Sequence, residues 1–161
     1  MLRKALISDI EQIIKLEKKY YDRYSISEEL LSRWINNDNF FVIDDNSKII
    51  GSIYFEFLDE IEALPWYHEP INSLGDYAYI SEIAVDSKDA MSLLFGKVLE
   101  TSREKHCKAI IWLTGEKSNH DKLEKAFLST NNFAIFKKVD NWECAPNYFI
   151  HDHSLWINKL N

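Results

Sequence analysis

Basic charge is in short supply in this chain: 19 Lys and Arg stand against 26 Asp and Glu, a formal net charge of -7. That balance excludes a general nucleic-acid binder, which needs surplus cations to displace phosphate counterions. It also argues against docking on an anionic membrane surface, whereas a cationic substrate or partner suits the field. Cysteine is almost absent. Cys107 and Cys144 stand apart with no C-x-x-C spacing, which excludes a disulfide framework and leaves two free, mostly buried thiols. Repeats, low-complexity tracts and domain linkers are lacking too. No apolar run reaches the length of a transmembrane helix. The opening MLRKALISDIEQII is too interrupted by charge for a secretory signal, so the expectation is a cytoplasmic protein.

What is present is a globular composition. The 161 residues are 46% hydrophobic and 14% aromatic, enough for one domain, 1–161, around a real core. Leu2 to Leu6 forms a short strand, and Asp9 with Gln12 reads as a capping box. Ile10, Ile13, Ile14, Tyr20, Tyr21 and Tyr24 then recur at helical spacing. Ser25 or Ser27 caps a second helix whose apolar side is Leu30, Leu31, Trp34 and Ile35. Phe40 to Ile43 and Ile49 to Leu58 form a hairpin around DDNSK. The stretch EIEALPWYHEPINSLGD is a long aromatic loop.

Tyr77 to Val85 makes a further strand, and Met91, Leu94, Phe95, Val98 and Leu99 share one face of the helix that follows. KAIIWLTG suits a buried central strand, residues 119–130 a helix, and Phe133 to Val139 and Tyr148 to Ile157 two closing strands. The order implies an α/β (α+β) class. Its centre is a mixed, mostly antiparallel sheet of roughly six to seven strands, with about four helices on its faces. The segment YISEIAVDSKDAMSLLFGKVLETSREK, Tyr79 to Lys105, runs a strand into a helix start. Such a junction can hold an anion because the first helical N–H groups lack intrahelical partners.

Four fragments carry a resemblance: LRKALISDIEQIIKLE, SKIIGSIYFEFL, YISEIAVD and EKAFLSTNNFAIF. In this order they resemble the first strand and helix, the third strand, the fourth strand, and the late helix and strand of the GNAT superfamily of acyl-CoA-dependent N-acyltransferases. The resemblance implies acyl transfer from acetyl-CoA or a related acyl-CoA, as co-substrate and without a metal, to an amine of a small molecule or protein. It implies that the fourth strand splays from the fifth, and that the acyl-pantetheine arm pairs with the backbone of Ile83, Ala84 and Val85. The pyrophosphate then lies on the turn and helix start, at Lys88, Ala90, Met91, Ser92 and Leu93.

Two departures accompany the resemblance. Ala90 stands where the family's loop carries a basic or amide residue, and Met91, Leu93 and Phe95 stand where it carries glycines. Glycine matters there because backbone without a Cβ lets phosphate approach closely. Leu128 stands at the position of a proton-donating tyrosine, and Asn132 at that of a glycine.

Glu82 is the candidate general base, sharing a strand face with Ile80 and Ala84. Tyr79 and Tyr148 are candidate proton donors, although an aromatic in a strand is commonly core. His120 reads as an exposed residue at a helix start. His151 and His153 would share one face of an extended strand, but no third ligand accompanies them, so no metal is expected. Trp66, Tyr67, His68 and Glu69, with Asp59, Glu60 and Glu62, offer aromatic faces and carboxylates to a cationic acceptor, or a homodimer contact. The alternative to an enzyme is a catalytically silent module of the same shape that binds a ligand or a protein. Neither nucleic acid nor membrane is an expected partner.

Overall fold

A computed structural model describes residues 1–20, 27–59, 75–115, 119–140, 142–145 and 148–160; the side chains of 119, 142–145 and 148–150 lie outside the described part. The first half carries β1 (Leu2–Lys4), a 3-10 turn (Ile7–Asp9), α1 (Ile10–Tyr20), α2 (Glu28–Asn36), β2 (Phe40–Asp45) and β3 (Lys48–Leu58). The second carries β4 (Tyr77–Val85), α3 (Lys88–Glu104), β5 (Ala109–Thr114), α4 (Asn119–Thr130), β6 (Ala134–Val139), β7 (Trp142–Ala145), β8 (Tyr148–Ile150) and β9 (His153–Lys159). Seven strands form one sheet in the order β1-β2-β3-β4-β5-β9-β6, and β7 pairs with β8 apart from it. β4 with β5 is parallel, while β1 with β2, β2 with β3, β5 with β9 and β6 with β9 are antiparallel. This is the mixed, mostly antiparallel α/β class expected. Among the described residues no helix is long and apolar enough to cross a membrane.

The chain packs as two compact units, residues 1–55 with 81–98 and residues 56–80 with 99–161. In the first unit, α1 buries Ile10, Ile13 and Leu16, and α2 buries Leu30, Leu31 and Trp34. Each such side chain contributes roughly 1.5–3 kcal/mol when fully buried. Trp34 stacks on Tyr54 of β3 with ring centroids 4.6 Å apart, and the Tyr54 hydroxyl accepts from Asn37 Nδ2 at 3.0 Å. Ser27 is the cap of α2, its Oγ accepting from the Leu30 N–H at 3.1 Å; Ser25 lies outside the described residues.

Asp9 and Gln12 do not form a capping box. Asp9 instead accepts from both terminal nitrogens of Arg3, at 2.7 and 2.9 Å, and from the Leu6 N–H at 2.8 Å. Gln12 reaches the hairpin between β2 and β3, accepting from the Ile49 N–H at 3.0 Å and donating to the Ser47 carbonyl at 3.3 Å. That hairpin turns on Asn46 and Ser47, at φ 51 and 68, the left-handed pair that matches strand twist. Gly51 on β3 is closely surrounded: a Cβ there would lie 3.3 Å from Ile43 Cδ1 and Leu94 Cδ1 and 3.4 Å from Val85 Cγ1, so those side chains would have to give by a few tenths of an ångström.

In the second unit, β5 supplies Ile110, Ile111 and Trp112, all nearly inaccessible. Trp112 meets Phe127 of α4 at 6.0 Å and Phe133 at 6.2 Å. α4 ends as its sequence implies: Asn132 takes φ 60, the left-handed conformation that glycine usually provides. The last predicted strand is interrupted. Asp152 takes φ 54 between β8 and β9, so the backbone there is not extended and His151 and His153 do not share a strand face. His151 Nδ1 lies 3.2 Å from Asp140 Oδ1, and His153 Nδ1 lies 2.7 Å from the His151 carbonyl.

Candidate active site

The candidate site belongs to the first unit, on the end of β4 and the start of α3. Its strand half is well buried: Ile83 is 2% exposed, and Ala84 and Val85 are inaccessible. The parallel register of β4 with β5 runs from Tyr77↔Ala109 to Ile80↔Trp112, whereas β4 itself continues to Val85. The backbone from Ser81 onward therefore stands beyond that ladder, where N–H and C=O groups need other partners. Glu82 is half-buried. Alternation along the strands places Gly51 and Val85 toward Leu94, and Ser52 and Glu82 on the other side.

That other side holds a second carboxylate, from α1. Glu17 is 2% exposed and accepts from the Ser52 hydroxyl at 3.1 Å. In sequence it lies four residues past Ile13, three past Ile14 and three before Tyr20, on the apolar stripe of the helix.

The turn half solves two problems that the residue types pose. Ser87 caps α3, its Oγ accepting from the Ala90 N–H at 3.2 Å and its carbonyl from the Met91 N–H at 3.0 Å. The N–H groups of Lys88 and Asp89 precede these bonds and are the donors a helix start offers to an anion. Ala90, Met91 and Phe95, which occupy family positions for a basic or amide residue and for glycines, are buried in the unit. Their side chains thus turn inward. Lys88, Asp89, Ser92 and Leu93 are the exposed residues of the first turns.

Asp86 is the second problem, a carboxylate beside the place an anion would occupy. It accepts from Lys19 Nζ and from the Tyr20 hydroxyl, both at the end of α1. Partial burial is the largest influence on its carboxyl and pushes it up, but the hydrogen bonds from Lys19 and Tyr20 together hold it below the usual carboxylate value. The Asp86 hydrogen bond raises Lys19 in turn, and burial, aided by Asp86, raises the Tyr20 phenol. Lys19 and Tyr20 stand 67 and 66 residues from Asp86 in sequence, so spacing alone did not show them.

The remaining candidates fall elsewhere. Tyr79 is 6% exposed in an apolar cluster of the second unit with Leu58, Ile111 and Leu155. Tyr148 lies on β8, with its side chain outside the described part. His120 is not the exposed residue expected: it lies within α4, 5% exposed, with Nδ1 3.4 Å from the buried Glu124. Burial pushes the Glu124 carboxyl up, against the opposing hydrogen bond from His120. Leu128, at the tyrosine position, is inaccessible. Cys107 is a free buried thiol that burial pushes up, and the side chain of Cys144 is outside the described part. Glu60, Glu62 and the aromatic loop from Trp66 to Glu69 lie outside the described residues, while Asp59 is exposed. Among the described residues no group of three or more His, Cys, Asp or Glu is placed to hold a metal ion.

Comparison with known proteins bears on this geometry. No curated protein matches the sequence. Among solved structures the chain is similar to the GphF GNAT-like decarboxylase in complex with isobutyryl-CoA. The TM-score is 0.78 at 16% identity, over 100% of both chains. It is also similar to a probable acetyltransferase from Staphylococcus epidermidis, with TM-score 0.75 at 12% identity over 100% of this chain and 99% of that one. A third is the ribosomal-protein-S18-alanine N-acetyltransferase from Escherichia coli, with TM-score 0.66 at 11% identity over 99% and 92%. At these identities the likeness is one of fold. The acetyltransferase (GNAT) family profile matches residues 10–124, which span α1 to α4 and include both halves of the candidate site. The chain belongs to the acetyltransferase (GNAT) family.

Proposed function

We propose that the protein transfers an acyl group from acetyl-CoA or a related acyl-CoA to the amine of a small molecule or protein. The observation that supports this most is the end of β4. Its buried backbone runs past the last β5 pair directly into a helix start where Ala90, Met91 and Phe95 turn inward while Leu93 stays exposed. The thioester arm pairs with the backbone of Ile83, Ala84 and Val85. The pyrophosphate lies at the start of α3, against the N–H groups of Lys88 and Asp89, with Lys88 and Ser92 beside it.

The acceptor nitrogen must be neutral to attack. Glu82 takes its proton as the new C–N bond forms and the C–S bond breaks, and the departing thiolate leaves with a proton from the medium. A protein of similar fold, the Escherichia coli ribosomal-protein-S18-alanine N-acetyltransferase, has a protein acceptor by its name. The net charge of -7 favours a cationic acceptor of either size.

The test is acyl transfer from acetyl-CoA to a panel of amines and basic peptides, followed by release of free CoA. Glu82→Gln should leave acetyl-CoA affinity nearly intact and slow turnover by roughly 100-fold or more, the usual range for losing a general base. An unchanged rate removes Glu82 from the mechanism. Binding of acetyl-CoA with no transfer to any amine favours the second reading, a silent ligand-binding module. That reading draws support from the buried Leu128 at the tyrosine position.

A further inference from the structure

α4 turns one side into the second unit, and the buried residues along it are His120, Glu124, Phe127 and Leu128. Phe127 and Leu128 supply the apolar stripe that an inward helix face requires. His120 and Glu124 depart from it. Their side chains, 2% and 5% exposed, stand one helical turn apart with Nδ1 3.4 Å from Oε1. An apolar residue at either place would be buried without penalty, whereas a charge there has to be matched or neutralised. The same turns are seated closely on the end of β5. A Cβ at Gly115 would lie 2.9 Å from the Asp121 carboxylate, and Trp112 of β5 gives Glu124 a hydrogen bond.

The proton count decides whether this arrangement is stable. With one titratable proton between them, His120 and Glu124 carry no net charge. With that proton lost to solvent, a carboxylate remains buried beside a second one, Asp121, three residues before it on α4. β5, Ala109–Thr114, brings no charged side chain to oppose it. The groups acting on Glu124 are therefore His120 and Asp121 from α4 and Trp112 from β5. Burial is the largest influence and pushes its carboxyl up; Asp121 adds to the rise, while the hydrogen bonds from His120 and Trp112 oppose it. A buried carboxylate reaches water most readily if the first turns of α4 lift from the strand, an opening smaller than global unfolding.

We propose that the His120–Glu124 pair is a pH-sensitive fastening for the first turns of α4: holding one proton it keeps them packed on β5, and giving that proton up loosens them. The device lies within the second unit and does not depend on the acyl-CoA reading.

Two measurements on isotopically labelled wild-type protein test this together: the Glu124 carboxyl resonance, and amide hydrogen exchange at Leu123 to Phe127, corrected for its intrinsic pH dependence. The carboxyl should remain in its neutral form above its ordinary 4.5. A group raised in this way contributes its full stability below the unfolded value and loses it as pH rises through the folded one. Protection should therefore fall about tenfold per pH unit above about 4.5, the slope of one proton, and level off once the folded value is passed. Glu124→Gln cannot ionise and should flatten this dependence. His120→Gln removes an opposing hydrogen bond and should carry the fall to higher pH, a displacement that lost packing alone does not produce. A wild-type carboxyl that titrates near 4.5, protection independent of pH, or a His120→Gln fall that ends where the wild type's does, overturns the proposal. If Glu124→Gln does not fold, the wild-type carboxyl titration decides by itself.

Discussion

Asp9 and Asp86 are both carboxylates of the first unit held by a cation from another element, yet they serve different ends. Asp9 is 5% exposed, takes two hydrogen bonds from Arg3 and a third from the Leu6 N–H, and shares Arg3 with Asp44. The arrangement ties β1, the 3-10 turn and β2 together, with fork geometry that only a guanidinium gives. Asp86 has a side chain 34% exposed, and its partner Lys19 is 59% exposed. An exposed pair of this kind contributes little to stability. Its consequence is local: it sets the charge beside the start of α3. The comparison teaches that burial, more than the identity of the ion pair, decides whether a charge builds the fold or tunes a site.

The largest expected effect breaks the first member of the comparison. Arg3→Ala leaves Asp9 buried without its cation and should cost about 2–3 kcal/mol. For a chain of this size that lowers the melting temperature by about 5–10 °C, while acetyl-CoA affinity stays at the wild-type level. The pH dependence follows from the same groups. The Arg3 hydrogen bond holds the Asp9 carboxyl below its ordinary 3.8, and the same guanidinium does so for Asp44. A depressed carboxylate stabilises the fold above its unfolded value, and that stability is lost as pH falls through the folded one. The wild type should therefore lose its advantage over Arg3→Ala as pH drops below about 4 in acid-denaturation curves. A difference that does not shrink at all as the pH falls below about 4 would contradict the assignment.

A smaller effect sharpens the second member. Lys19→Ala should hardly change the melting temperature, but it leaves Asp86 uncompensated beside the helix start and weakens acetyl-CoA binding, by about threefold to tenfold. Asp86→Asn removes the negative charge instead and should bind as well as the wild type or better. If both variants weaken binding alike, the role of the cluster is positional rather than electrostatic.

What the residues disclosed before the fold was known follows from the range of the interactions. The Ser27 cap and the left-handed Asn132 are local events, set by residues within one turn, and both are legible. α4 is legible for the same reason, its apolar positions repeating at helical spacing. The fold class was also readable from the order of elements and the four family-like fragments. Of the candidate site, what the sequence made legible is the buried end of β4. The turn residues look wrong for phosphate when read as a string, because a sequence does not say which way Met91 and Phe95 point; buried, they leave the exposed first turns to Lys88, Asp89, Ser92 and Leu93, the last still at a glycine position. Lys19 and Tyr20 arrive from α1, 67 and 66 residues away in sequence, and Glu17, nearly inaccessible, lies on the apolar stripe between Ile13 and Tyr20. His151 and His153 were misplaced by one residue's backbone, the φ of 54 at Asp152.

Titration of isotopically labelled protein with acetyl-CoA, followed by amide resonances, tests the central claim most directly. The account predicts saturable shifts concentrated at Ile83, Ala84 and Val85 and at Lys88 to Leu93, with those of Lys19 and Tyr20 following. No saturable shift at millimolar acetyl-CoA, or shifts confined to residues outside β4 and α3, would contradict it.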